Sequence, residues 1–325
     1  MYQSKGMKKG ETNMDNLYFG VDIGGTATKI GAFDQRGILL SKWEIKTDTS
    51  ENGSLSLPNF AEEILHYARN LSRVIAIGVG IPGPVQRGGY VKRCVNLGWG
   101  DFNPARELAA ILRGVPVFAG NDANMAALGE YWQGSGKDAE NLVFITLGTG
   151  VGGGIILDGK IVFGMSGLGG EIGHVVVNPD ETIPCNCGQV GCLDQTASAT
   201  GIVRAAKRLL EAGNEPSALR SLEIITARDV VDAARKGDAL AQQAFDRCMY
   251  FLGKSMAMLT NILDPDVYII GGGVSKAGDY LIDTVKKHYE SLATLSERKA
   301  GIVLAKLGND AGIYGAAKLA IDSAR

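Results

Sequence analysis

The chain has 325 residues, 45% of them hydrophobic and 21% charged, with a formal net charge of −2, a globular balance with room for two domains of usual size. That charge carries no clustered basic excess of the kind a nucleic-acid surface needs, and no apolar run reaches the roughly 18 residues of a membrane span. Residues 1–16, MYQSKGMKKGETNMDN, have basic residues but no apolar stretch behind them, so they read as a disordered tail rather than a signal peptide. Met7 or Met14 could equally be the start, and a cytoplasmic location is the expectation.

In chain order, Leu17–Ile23, Thr28–Phe33 and Ile38–Ile45 read as three antiparallel strands joined by turns. A helix is expected over Phe60–Leu71 with Pro58 near its start, then a buried strand at Val74–Gly80. Pro104–Leu112 is expected to be a helix, Val115–Ala119 a strand, and Asn121–Gln133 a helix. Val143–Leu147 and Ile155–Leu157 read as strands around a Gly-rich turn, continued by Lys160–Phe163. Helices follow at 195–212, 227–236 and 239–263. In the last, Phe245, Cys248, Met249, Leu252, Met256, Leu259 and Leu263 step by three or four along one apolar stripe. Val267–Ile270 is a strand, Asp279–Leu292 a helix, Ile302–Ala305 a strand and Ala311–Ile321 a final helix. Cys94 reads as a small buried residue in a strand, and Cys248 as part of the stripe.

The 45 glycines cluster at the ends of Val/Ile/Leu runs, where tight turns let a ligand approach backbone N–H groups. Sliding the chain so that Val21 lies over Ile145 sets VDIGGTATKIGAFDQ on ITLGTGVGGGIILDG, each reading strand, glycine turn, strand, Asp turn. Two related domains facing a shared cleft are implied. Gly148, Gly150 and Gly153 fit the dinucleotide fingerprint, but a strand follows them where that fingerprint requires a helix. A P-loop pattern is absent as well, so phosphate is expected at N–H groups of the two hairpin turns. Thr26 and Thr149 could add hydroxyl donors, and Lys29 either a charge toward phosphate or a solvated side chain.

Asn121 and Asp122 open a helix directly after a strand. They suit an N-cap, and Asp122 also suits a general base that takes a hydroxyl proton during phosphoryl transfer. Further on, His174, Cys185, Cys187 and Cys192 lie within one short loop, 174–192. One residue between Cys185 and Cys187 is too few for the usual redox pair, and three thiols cannot pair off as disulfides. A Cys₃His structural zinc site fits, with no open position for catalysis; unliganded thiols are the alternative.

The motifs GVDIGGTATKIGAFD, PVFAGNDANMAALGE, TLGTGVGGGII, GEIGH, CNCGQVGCLD and IIGGGVS, in this order from about residue 17 to the C-terminus, resemble those of the ROK family of repressors, unassigned reading frames and sugar kinases. The resemblance implies the α/β actin-like, ribonuclease-H-like ATPase fold, two α/β domains around a central cleft: residues 17–120 and 121–310, with 311–325 packing back on the first. It implies an ATP-dependent kinase for the 6-hydroxyl of a hexose, glucose first. ATP phosphates would meet Gly24, Gly25, Thr26, Lys29, Gly148, Thr149 and Gly150, with Mg²⁺ near Asp22 and adenosine against Gly271, Gly272 and Gly273. Asp122 would be the base. Asn96, Asn121, Glu171, His174 and Asp194 would hold the sugar, His174 also serving the zinc. The family usually has Glu where this chain has Asp194, one methylene shorter, which puts that contact in doubt. Homodimers are usual in the family, and the apolar stripe offers a surface for one.

Competing acceptors are fructose, mannose, N-acetylmannosamine and N-acetylglucosamine, and polyphosphate is a competing donor. A sugar-sensing repressor would need a DNA-binding domain ahead of DIGGT, where only residues 1–21 stand. An actin-like filament or chaperone ATPase would not need the loop of cysteines.

Overall fold

A computed structural model describes residues 16–324, so all of the expected tail except Asn16 lies outside the described residues. Strands β1 (Leu17–Ile23), β2 (Ala27–Phe33) and β3 (Leu39–Lys46) form the antiparallel meander that the sequence implies. Helix α1 (Ser56–Ala68) begins and ends earlier than expected. Leu57, Phe60, Ala61, Ile64 and Ala68 form its buried face, and Arg69 stops it in the left-handed region at φ 58°. Strand β4 (Val74–Ile81), helix α2 (Pro104–Ile111) and strand β5 (Val117–Asn121) complete a sheet ordered β3-β2-β1-β4-β5. Cys94 is not in a strand; it sits in a single bridge to Trp99 and donates its thiol to Pro82 O at 3.0 Å.

The second half repeats the plan. Helix α3 (Asp122–Gln133) leads to β6 (Leu142–Leu147), β7 (Val151–Leu157) and the two-residue β8 (Lys160–Ile161). Helices α4 (Leu193–Ala197), α5 (Ala199–Ala212), α6 (Ala227–Arg235) and α7 (Ala239–Leu263) follow. Strand β9 (Val267–Gly271), helix α8 (Asp279–Leu292), strand β10 (Gly301–Leu304) and helix α9 (Ala311–Ser323) close the chain. The second sheet runs β10-β9-β6-β7-β8. In each sheet the first strand of the unit is central, antiparallel to its hairpin partner and parallel to the strand on its other side. This doubled arrangement is the actin-like α/β fold.

Three local readings are corrected. The helix expected over 195–212 is two helices, broken at Ser198, whose extended ψ of 167° and side chain, accepting from Gly201 N–H, start α5. Strand β7 begins at Val151, not Ile155. Its glycines lie under α3, where a Cβ on Gly154 would fall 2.5 Å from Ala127 Cβ, so close packing outweighs their weak strand propensity. The α7 stripe is not a free surface: Phe245, Cys248, Met249, Leu252, Met256 and Leu259 are buried in the second unit's core.

Helix α9 covers the first sheet so closely that a Cβ on Gly20 would meet Ile313 O at 1.9 Å. It also crosses α3 at a pair of glycines: a Cβ on Gly315 would lie 1.7 Å from Met125 O, and one on Gly129 2.2 Å from Ala311 O. Two helices thus touch backbone to backbone between the sheets, and this crossing sits behind the ends of β1 and β5.

Candidate active site

Strand β5 ends at Asn121 and α3 starts at Asp122, so the two side chains divide the work of that corner. Asn121 Oδ1 accepts the Asn124 N–H at 3.0 Å and caps the helix. Its Nδ2 donates to Gly83 O at 3.1 Å and to Asp122 Oδ1 at 3.0 Å. The amide is thereby spent on the fold and on aiming Asp122. Asp122 Oδ1 takes a second bond from Ala123 N–H at 2.8 Å. Both bonds fall on one oxygen, which leaves Oδ2 for a ligand.

Three carboxyl groups converge on this corner. Burial, with smaller contributions from the negative charges of Asp22 and Glu171, lifts Asp122 to about 6 against the lowering effect of the Ala123 N–H bond. Burial also lifts Asp22 to about 6, against a lowering influence from Lys29. Glu171 is raised by burial and lowered in part by His174. Paired acids with displaced titration are the usual mark of proton-transfer chemistry. Helix α9 encloses Asp22 from behind: a Cβ on Gly312 would lie 2.5 Å from its carboxylate.

The two glycine turns sit at corresponding ends of the sheets. In the first, Gly24 N–H bonds Ala27 O at 3.0 Å, and Thr47 Oγ1 donates to Gly24 O at 2.7 Å while pairing with Thr28 Oγ1 at 2.8 Å. Asn96 lies beside Gly25. Lys29 donates one N–H to Asn309 O at 3.0 Å. In the second turn, Gly148 N–H bonds Gly150 O at 2.9 Å. Ala199 N–H donates to Gly148 O at 2.9 Å, and Thr200 Oγ1 to Thr149 O at 2.9 Å. Asp194 Oδ1 accepts the Val151 N–H at 2.7 Å.

Near that second turn, a cavity of about 370 Å³ lies between α6 and the 3₁₀ turn Gly273–Ala277, with Ala199, Val231 and Val274 in its wall. Of the glycine trio only Gly273 lines it. Gly271 ends β9 against the Phe144 ring, and Gly272, at φ 83°, backs onto the Leu147 main chain.

His174, Cys185, Cys187 and Cys192 come together, their ligand atoms all within 4.8 Å of one another. Cys185 Sγ is 3.7 Å from His174 Nδ1, and Cys187 Sγ is 3.6 Å from Cys192 Sγ. Zn–S bonds of about 2.3 Å in a tetrahedron put sulfurs about 3.8 Å apart, so the set could hold a metal ion of that kind. The other imidazole nitrogen, Nε2, lies 3.9 Å from Glu171 Oε2. The ring can therefore serve a metal through Nδ1 while presenting Nε2 elsewhere.

Thr28, Thr47, Thr200 and Gly312 were not singled out in the sequence. Thr47, Thr200 and Gly312 lie outside the glycine and Cys/His motifs, and Thr28, though inside the first glycine motif, acts through Thr47; the three threonines reach the turns through partners 19 or more residues away. No composition signal marks them.

The ROK family profile matches residues 18–323. A glucokinase of Halalkalibacterium halodurans is 42% identical over 310 residues, 93% of this chain and 94% of that protein. A ROK family glucokinase from Streptomyces griseus, crystallised with glucose and AMPPNP, is 34% identical with a TM-score of 0.74, over 94% of this chain and 100% of that one. A ROK hexokinase from Thermus thermophilus is 31% identical with a TM-score of 0.81, over 94% and 98%.

Proposed function

This chain belongs to the ROK family, and on that premise we propose that it is a glucokinase, transferring the γ-phosphoryl group of ATP to the 6-hydroxyl of glucose. The observation that carries the reading is the corner at Asp122, an uplifted carboxyl with a free oxygen, flanked by Asp22 and Glu171. The glucose and AMPPNP bound by the Streptomyces griseus relative support the same pair of ligands.

The sugar is held by Glu171, His174 Nε2 and Asn96, with its 6-hydroxyl at Asp122 Oδ2. As the hydroxyl oxygen bonds to the γ-phosphorus, its proton passes to Asp122, and the bond to the bridging oxygen breaks to release ADP. A base titrating near 6 is mostly ionised at neutral pH yet still basic enough to share the proton. Asn121 keeps that carboxylate in one orientation. The N–H groups of the turns at 24–26 and 148–150 hold the phosphates, and the cavity beside Gly273 takes the nucleoside. A magnesium ion at Asp22 would neutralise phosphate charge; a buried carboxylate countered only in part by Lys29 suits a cation. Zinc at His174, Cys185, Cys187 and Cys192 would order the loop that carries Glu171 and fix the proton of His174 on Nε2. The units 17–120 with α9, and 121–310, act as two domains that meet at the glycine crossing of α3 and α9.

A coupled ADP-release assay over glucose, fructose, mannose and the N-acetylated hexosamines tests this. ADP release should depend on added sugar and be greatest with glucose. Sugar-independent release, or a preference for an acetylated hexosamine, overturns it.

A further inference from the structure

Asp194 stands where the resemblance implies a sugar ligand. Its carboxylate is instead committed to the second phosphate turn. Oδ1 takes the N–H of Val151, the first residue after Gly150, at 2.7 Å. The seat is tight: a Cβ on Gly150 would fall 2.4 Å from that oxygen. Two further bonds from the same short stretch grip the turn, from Ala199 N–H to Gly148 O and from Thr200 Oγ1 to Thr149 O. Residues 194–200 therefore bracket all three residues of the turn. With one methylene more, a glutamate carboxylate would overshoot the N–H and press on Gly150.

We propose that Asp194 is a positioning residue for the nucleotide: it sets the shape of the 148–150 turn rather than gripping the sugar. This rests on the kinase reading above. An ionised acceptor on a backbone N–H is among the stronger hydrogen bonds, and a phosphate-binding nest works only while its N–H groups converge. Because Asp194 is joined through Leu193 to Cys192, the loop on the sugar side and the turn on the nucleotide side share one anchor.

Binding of AMPPNP and of glucose is titrated separately by calorimetry on the wild-type chain and on Asp194→Ala, Asp194→Glu and Asp194→Asn. The Ala and Glu variants should bind AMPPNP about tenfold more weakly, with glucose affinity within about twofold of wild type. The Asn variant, whose amide oxygen can accept the same N–H, should stay within about threefold for both ligands. Unchanged AMPPNP affinity in the Ala variant, or a loss confined to glucose, overturns the assignment. If the Ala variant does not fold, the Glu variant decides: tighter glucose with undiminished AMPPNP overturns it. A wild-type chain that bound no AMPPNP would overturn the kinase reading itself, a result distinct from any of these.

Discussion

The two glycine turns share a plan but not a support. The first is backed from within its own sheet. Strand β3 is eight residues long, and Thr47, just past its end, reaches Gly24 and Thr28. Among the described residues the second has no such neighbour, because β8 is two residues long and pairs with Ile156 and Leu157, at the far end of β7. Asp194, Ala199 and Thr200 fill that place. A repeated strand–turn–strand unit thus fixes where the N–H groups of the two turns stand, while each half recruits its own means of holding its turn still. One means is a hydroxyl pair, Thr28 on β2 and Thr47 just past β3; the other is a carboxylate two residues beyond the cysteine loop.

The largest effect should come from the residue between the turns. Asp122→Asn should cut kcat about 100- to 10,000-fold while AMPPNP and glucose still bind, measured by ADP release beside calorimetry. Near wild-type turnover would mean the turns serve a different base. Next, Cys187→Ser removes one thiol of the proposed zinc set. Its metal affinity should fall by more than the roughly 100-fold that outer-shell changes cost, seen as loss of zinc in elemental analysis and as weaker glucose binding. Intact metal content would separate the loop from the ion.

Thr47→Val probes the first turn's support. It strips Gly24 O and Thr28 Oγ1 of their partner and should cost about 1–3 kcal/mol of stability, read by denaturant unfolding. The zinc content should not change, which is the contrast with the second turn. The smallest effect is on pH. Asp122 must be ionised to act, so kcat/KM should fall as pH drops through about 6. Glu171→Gln removes a neighbouring negative charge that holds that value up, so the acid limb should move to lower pH, by roughly a few tenths of a unit. A limb that stays in place would mean burial alone sets it.

Much of the fold was legible because its signals are local. The β1–β2 and β6–β7 hairpins, and α7 to its last residue, follow from periodicity and turn residues. Legibility failed where packing overrode propensity. The first half of β7 is valine and three glycines, which read as a turn until α3 is seen lying on them. Ser198 breaks a helix that composition alone would run through. Periodicity shows that a face of α7 is apolar and not what covers it, and the cover is the second unit's own core. In the site, the His174–Cys192 cluster was readable because its ligands share one loop, whereas the roles of Thr47, Thr200 and Gly312 needed the fold.

By itself the sequence determined the chemistry available: two glycine hairpins, a carboxylate at a strand–helix corner and a Cys₃His set, each contained in one local stretch of chain. Only the tertiary structure decided what each group touches and how it titrates. Asp194 meets a main-chain N–H 43 residues away, and Asp122 is lifted to about 6 by burial and by acids from β1 and the loop before His174. A hydrogen-bond partner and a desolvation cost belong to the space around a side chain, and that space is assembled by folding.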